Sequence, residues 1–400
     1  MAKHNDNPND PRALRRQVRE VADSLAIAFI LAMVIRHYVL EVFKIPTKSM
    51  EPTLLGDPWS GDKILVNKFA YDFRDPRRWE IAVFKYPVDT TKNYIKRVVG
   101  LPGENVRVRY GDLYVNGSIA RKPWRVQRDL WRLCPHSGEA KSWRGGDGWT
   151  LVDNEFTVLC DSNSADAELV YEREITAYDA ESTTLRGGRS LPYIPTSDIM
   201  VEFLLIPRRA AGALSVGIDV LSPSTYTGSP RKLMDQWEVT FAFDAAPCVP
   251  EVRRGGRLFA VGAPCRFTLG QPTLVQVCNV DRSLLVRVGD TEVVRKEYEP
   301  AATVFEWGAF TTEAKLQLTC SGAELTLRSP AVYVDVYYTD NPHSFAVRAP
   351  YQLGADEYFV LGDNSANSND SRAWEKVPRS YLVGEAFLVL WPLGRMKLVR

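Results

Sequence analysis

The chain has 400 residues, 45% of them apolar and 25% charged, with 50 Lys and Arg against 49 Asp and Glu for a formal net charge of +1. That composition supplies a packed core and two or three domains, and the charge balance excludes broad nucleic-acid binding. The six cysteines, Cys134, Cys160, Cys248, Cys265, Cys278 and Cys320, form no C-x-x-C pair, which excludes zinc-ribbon and thioredoxin-type motifs. They fit either disulfides in a compartment outside the cytoplasm or isolated buried thiols.

Residues 1–20 are polar and carry Arg12, Arg15, Arg16 and Arg19. An unbroken apolar run, Leu25 to Ile35, follows; Arg36 and His37 interrupt it, and Tyr38, Val39, Leu40, Val42 and Phe43 extend it. A span needs about 20 residues, a length that 24–43 has if Arg36 and His37 reach an interface. No small-x-small site follows, so a cleaved leader is disfavoured; a buried helix is the other alternative. The expectation is one uncleaved transmembrane anchor over 21–43, a cytoplasmic tail over 1–20, and everything beyond about residue 44 on the far side.

Short strands come next. Lys63–Val66 and Ile81–Phe84 are β-rich pieces bounded by Gly, Asp and Pro. Leu113–Ile119 holds Asn116-Gly117 between apolar flanks, a hairpin signal because both residues tolerate positive φ. Tyr358–Leu361 and Ala386–Trp391 read as strands near the end of the chain. In the middle, Leu284–Val288 and Thr291–Val294 flank Gly289-Asp290 as a hairpin. Leu316–Leu318, Leu325–Leu327 and Val332–Val336 alternate with period two. The middle segment, 123–345, therefore reads as a β-rich, sandwich-like insertion.

Histidine is the usual base for a serine nucleophile, but only His4, His37, His136 and His343 occur, and they form no Ser/His/Asp grouping. Three other segments concentrate chemistry. Ile45–Leu54 (IPTKSMEPTL) places Ser49 between two prolines that hold the chain rigid and extended just after the apolar run. Asn93–Glu104 (NYIKRVVGLPGE) puts Lys96 in an apolar strand, with Ile95 and Arg97 on its opposite face. Gly362–Arg372 (GDNSANSNDSR) is a polar loop after a strand. Each alone reads as a loop serine, an edge-strand lysine or a turn.

In this order, after one apolar run, the three segments resemble the conserved boxes of the bacterial type I signal peptidases, serine proteases with a Ser/Lys dyad. Ser49-Met50-Glu51-Pro52-Thr53-Leu54 and Tyr94–Gly103 match closely, and Glu80–Pro87 is similar to the intervening strand box. The resemblance covers roughly 20–122 and 346–400. It implies a mainly β catalytic domain, 44–122 plus 346–400, with an N-terminal transmembrane helix and the 123–345 insertion. It implies Ser49 as nucleophile and Lys96 as general base, which requires a lysine held neutral by burial. It also implies an oxyanion hole from the Ser49 N–H and the Thr47 hydroxyl, Ser368 hydrogen-bonded to Lys96, an Asp370–Arg372 ion pair and a second pair between Arg97 and Asp363. Ile45, Pro46, Met50, Leu54, Tyr94 and Ile95 are expected to bind substrate, lining small pockets and pairing with its backbone.

The implied substrates are signal peptides of exported preproteins, cut at a bacterial cytoplasmic membrane on its extracytoplasmic side. Besides the lipid bilayer no partner is implied, and neither a metal nor a cofactor. Three features depart from the family pattern: Ser365 and Ala366 replace an Arg-Asp pair, Lys48 replaces a frequent glycine, and the middle segment is larger. They keep open a non-catalytic membrane protein of the same fold whose insertion engages an envelope partner or glycan. A self-cleaving repressor-type Ser/Lys protease is disfavoured by the anchor.

Overall fold

The computed structural model describes residues 11–34, 39–153, 155–160, 166–178, 194–222, 232–244, 246–299 and 312–399. Helix α1 (Pro11–Val34) opens on a proline, whose missing N–H is not needed in a first turn. Its Leu25, Ile27, Phe29 and Ile30 are 62–67% exposed. No helix among the described residues is long and apolar enough to cross a membrane. The expected anchor over 21–43 is corrected in its extent: the helix ends at Val34, and Leu40–Lys44 forms strand β1. Arg36 and His37 lie outside the described residues. The aromatic and β-branched content of Tyr38–Phe43 suits a pleated strand, and β2 (Lys63–Asn67) supplies its antiparallel partner, with Val42 opposite Leu65.

Strands β3 (Ile81–Tyr86) and β4 (Asp89–Gly100) continue this antiparallel sheet. Its order is β1, β2, Leu382–Trp391, β3, β4, Glu357–Leu361 and Val377–Pro378. The expected strands at 63–66, 81–84, 358–361 and 386–391 all lie in it. Period-two alternation covers both of its faces. Ile81 and Val83 pack with Ile45, Met50, Leu54 and Ile64, whereas Ala82 and Phe84 pack with Tyr71, Val98 and Tyr358. A smaller sheet holds β5 (Asn105–Arg109), β6 (Asp112–Val115) and β7 (Ser118–Ile119), with Tyr351–Gln352 beside β5. Asn116 (φ 51°) and Gly117 (φ 83°) make the expected β6–β7 turn.

Two further antiparallel sheets occupy the middle segment. In one, Glu324–Val334, Ile199–Pro207, Thr273–Val280 and Ser283–Val288 lie side by side; in the other, Leu233–Ala242, Ala213–Leu221 and Glu313–Ser321 do. Their facing residues share one core, including Phe203, Leu205, Val216, Trp237, Phe241 and Leu318. This is a β-sandwich, as the alternation in 213–221 and 313–321 requires. The 283–288/291–297 hairpin forms as expected. The two strands expected at 325–327 and 332–336 are one, Glu324–Val334, which continues through a positive φ at Ser329. All six cysteines are free and buried.

A helical segment, Trp124–Leu130, leads into the sandwich, and its neighbour Trp131 packs on Met200, Cys278 and Leu285. Beneath it lies a charged cluster. Lys122 Nζ bonds Asp281 (2.7 Å) and Asp335 (2.9 Å), and Gln127 Nε2 donates to Asp335 (2.6 Å). Asp112, Asp198 and Asp281 bring carboxylate oxygens within 4.8 Å of one another. Burial, then the charge of Asp281, pushes the Asp112 carboxyl up to about 7. A carboxyl raised on folding binds more protons in the folded than in the unfolded chain between pH 3.8 and about 7, so its contribution to stability falls as pH rises through that window. Asp112→Asn is therefore expected to stabilise the fold relative to the parent at pH 8 and to do so much less at pH 4. Paired denaturation curves at the two pH values measure the difference.

Candidate active site

Ser49 sits in a single 3-10 turn, Lys48–Met50, not in the continuously extended stretch expected from the flanking prolines. The prolines set the ends of the segment, but the chain between them must curl to bury its apolar side. Met50 and Leu54 are fully buried, and Ile45 is 2% exposed. The carbonyl of Met50 accepts the N–H of Leu54 (2.9 Å), and Lys48 O accepts that of Glu51 (3.1 Å). A glycine-rich return loop closes over the turn. A Cβ on Gly56 would fall 1.8 Å from Thr47 O, so only glycine allows this approach. Asp62, 1% exposed, fixes the loop by accepting from Leu55 N (2.8 Å) and from Arg395 Nε and Nη2 (3.0 Å each).

Lys96 lies in β4 opposite Ala82 of β3 and is 4% exposed. Its Nζ is 2.8 Å from Ser49 Oγ and donates to Ile95 O at 2.9 Å. The lysine is not on a solvated strand face. Burial is the dominant influence on its ammonium; the Asp370 and Asp363 carboxylates oppose it and Arg372 adds to it, leaving the group lowered to about 8. At neutral pH that leaves roughly one lysine in ten uncharged, against about one in 10³ for a free lysine. Buried, close to a hydroxyl and partly deprotonated, Lys96 has the attributes of a general base.

Thr47 is an exposed residue whose hydroxyl lies 3.5 Å from Ser49 Oγ. Pro46 and Lys48 are exposed too, and Tyr94 and Ile95 are half-buried. Ile45 N–H and C=O are engaged within the loop, by Asp62 O (2.9 Å) and Asp57 N (3.1 Å). Backbone pairing with a substrate therefore falls to the residues after Ile45 and to β4. In β4, Glu357–Leu361 pairs only with Arg97–Gly100, so Asp89–Lys96 keeps one edge without a strand partner among the described residues.

The third segment closes the site from below. Asn364 N donates to Ser49 O (3.1 Å), a contact that no sequence signal announced. Arg97 and Asp363 form the expected pair with both side chains fully buried. Asp370 and Arg372 form the other, Nη2 to Oδ2 at 2.7 Å. Burial raises the Asp370 carboxyl, but the Arg372 guanidinium and the Gly362 N–H outweigh it and hold the group below the usual carboxylate range. The expected bond from Ser368 to Lys96 is not made: Lys96 Nζ bonds Ser49 Oγ and Ile95 O, and the buried Ser368 Oγ lies beside the Asp370 carboxylate, which it helps to hold down. Gly362 is the residue that sequence reasoning passed over. A Cβ there would lie 2.2 Å from Ser368 Oγ and 2.5 Å from Ser49 O. Gly362→Ala is expected to displace the Ser49 backbone and lower turnover at least about tenfold, since small misplacements of a nucleophile are costly. Peptide-cleavage kinetics on the folded variant measure it.

His136 pairs with Glu139 on the surface, and no histidine among the described residues bonds Ser49. The arrangement can activate a serine with an amine, in acyl-transfer chemistry that asks nothing of a metal.

The family model described as "Signal peptidase, peptidase S26" matches residues 18–170 and 317–391, more than half of the chain. The signal peptidase I of Pseudomonas aeruginosa is 40% identical over 131 residues, 28% of this chain and 45% of that protein. A probable signal peptidase I-2 of Synechocystis is 43% identical over 106 residues, 25% of this chain and 46% of that protein. The chain thus spans about half the length of the curated relatives it matches. Among solved structures, the carbohydrate binding module CBM66 from Bacillus subtilis aligns with 48% of this chain and 94% of its own at 9% identity and a TM-score of 0.30, a likeness that carries no argument about this protein. The two matched stretches contain all three segments that converge on Ser49 and Lys96, and the chain belongs to the signal peptidase family, peptidase S26.

Proposed function

We propose that the protein is a serine endopeptidase that removes signal peptides from exported preproteins, with Ser49 as nucleophile and Lys96 as general base. The observation that carries this reading is the buried 2.8 Å contact between Lys96 Nζ and Ser49 Oγ. Neutral Lys96 takes the Ser49 proton as Oγ attacks the scissile carbonyl. The developing oxyanion faces the Ser49 N–H and the Thr47 hydroxyl. The lysine then protonates the departing amine, and water releases the acyl group by the reverse path. The substrate lies as an added strand along the free edge of Asp89–Lys96, which brings its carbonyl to Ser49. Tyr94 and Ile95 wall the adjoining pockets, with Ile45, Met50 and Leu54 packed behind them in the core and not open to substrate, so that small residues before the cut fit best.

The division into a 1–20 tail, a catalytic unit of 44–122 with 346–400 and an insertion over 123–345 belongs to the same reading. An insertion is supported by the sandwich, whose strands start after Trp124–Leu130, and by the stretch between 170 and 317 that the family model leaves unmatched, although the match itself extends past 123 and resumes before 345. The exposed apolar residues of α1 are the proposed membrane-anchoring segment of a single-pass inner-membrane protein. The arginines before it keep the N-terminus cytoplasmic and the catalytic unit outside. Trp59, 90% exposed in the loop beside Ser49, fits a site held at the bilayer interface. Anchoring enzyme and substrate in one membrane raises their effective concentration.

The test uses the full chain in lipid vesicles and a preprotein with alanine one and three residues before the cut. One cleavage is expected, absent with Ser49→Ala. No cleavage by the parent, or undiminished cleavage by Ser49→Ala, would overturn the reading.

A further inference from the structure

The loop that carries Ser368 and Asp370 opens on a 3-10 turn, Ser365–Asn367, in which Ser365 is buried. Its support comes from the middle segment. Thr339, five residues beyond the last sandwich strand, donates its N–H to Ser365 Oγ (2.9 Å). The same Ser365 Oγ accepts from Arg372 Nη1 (2.5 Å), which also donates to Thr339 O (2.9 Å) and Thr339 Oγ1 (2.5 Å). Arg372 Nη2 holds Ser365 O (2.8 Å) and Asp370 Oδ2 (2.7 Å). From another stretch of the middle segment, the Tyr178 phenol donates to Tyr337 O, two residues before Thr339, and borders the same cavity as Asp363 and Asn364 at the start of this loop. Residues far apart in sequence, 178 and 339, thus converge on the loop that runs from Asp363 to Arg372.

We propose that Tyr178 and Thr339 are positioning residues through which the insertion fixes the Ser365–Arg372 loop and, by way of Arg372 and Asp370, the protonation of Lys96. The inference rests on the peptidase reading. After burial, Asp370 is the strongest influence on Lys96, raising it, while Arg372 lowers it. The net effect depends on how Arg372 is held between Thr339, Ser365 and Asp370. Each of its N–H donors here has a fixed partner, and a guanidinium fork transmits a shift at one partner to the other. Loosening the loop admits water beside Lys96 and frees Asp370 from Arg372. Both changes favour the ammonium, so Lys96 titrates at higher pH.

The experiment compares Tyr178→Phe, Thr339→Val, the double variant and the rescue variant Thr339→Ser, all in the full chain in vesicles. Two readouts are taken: the pH profile of signal-peptide cleavage, and the pH dependence of Lys96 acylation by a small acylating reagent, followed by mass spectrometry. In the double variant both midpoints are expected to move up by about one pH unit. kcat falls about tenfold at pH 7.5 and recovers at pH 9.5, KM changes less than twofold, and Thr339→Ser restores the parent profile. Unmoved midpoints in folded variants, or a loss equal at all pH values, would overturn the proposal while leaving the peptidase reading in place. If the parent cleaves nothing, that reading fails, and the acylation midpoints still decide whether the insertion controls Lys96.

Discussion

Lys96→Arg is expected to lower kcat/KM for preprotein cleavage by about 10²–10⁴-fold or more at every pH between 6 and 10, whereas the parent rises toward a plateau above about pH 8. Arginine keeps a cation of similar reach in the pocket but cannot release its proton in this range. The comparison therefore separates a lysine that works as a base from one that merely fills the space with charge. The plateau position follows from the balance at Lys96: burial pulls the group down from 10.5, and Asp370 and Asp363 limit the drop to about 8. A substrate strand laid along β4 would exclude the remaining water and carry it lower, so the midpoint for kcat is expected below that for kcat/KM. The same depression costs stability. Between pH 8 and 10.5 the folded chain binds fewer protons at Lys96 than the unfolded chain, so the penalty is complete below pH 8 and relieved as pH rises through the window. Lys96→Met, similar in shape and uncharged, is expected to abolish cleavage and to stabilise the fold by about 1–3 kcal/mol at pH 7. The gain stays below the full titration penalty because Ile95 O loses its donor. Denaturant unfolding at pH 7 and pH 10.5 checks the sign, since the gain must shrink at the higher pH.

The parts of the fold legible in the sequence were those fixed by local chemistry. Asn116-Gly117 and Gly289-Asp290 marked their hairpins because the turn conformations themselves restrict the residue types. The alternation in Leu316–Leu318 marked part of a half-buried strand, Glu313–Ser321, for the same kind of reason. The anchor was misjudged at its end because Tyr38, Val39, Leu40, Val42 and Phe43 read as a continuation of the apolar run. What decides its state is a partner, Lys63–Asn67, that hydropathy cannot register. Ser49 and Lys96 were named through a resemblance of ordered segments, and the structure brings them within 2.8 Å. Their surroundings were hidden because they are long-range. Asn364 reaches Ser49, Arg395 reaches Asp62 and Tyr178 reaches the Ser365 loop across more than 150 residues each, and no periodicity encodes such contacts. Ser368 shows the converse: a motif position can be matched while the bond it implies is absent.

The largest structural penalty is expected at Asp363. Its carboxylate receives Arg97 Nε (2.8 Å) and Nη2 (2.7 Å), and neither side chain is exposed to any extent. Arg97 also donates to Trp79 O (2.7 Å) and Thr53 Oγ1 (3.2 Å), so one guanidinium joins β4, the chain before β3, the nucleophile segment and the final loop. Asp363→Ala strands a permanently charged group in the core, because arginine cannot neutralise itself by losing a proton. Breaking a buried pair from one side costs about 3–5 kcal/mol, and that loss is expected in denaturant unfolding. The double replacement Arg97→Met with Asp363→Leu removes both charges together and is expected to recover most of it, since the pair itself contributes little beyond its own desolvation. Cleavage must separate from stability in the double variant. Thr53 Oγ1 and Trp79 O lose their donor, the nucleophile segment loses one of its ties to β4, and activity is expected to remain low in a protein that is again stable. If the double variant regained both, the pair would be a packing element with no part in aligning Ser49 and Lys96; if it regained neither, the polar contacts to Trp79 and Thr53, and not the charges, would be what the core requires.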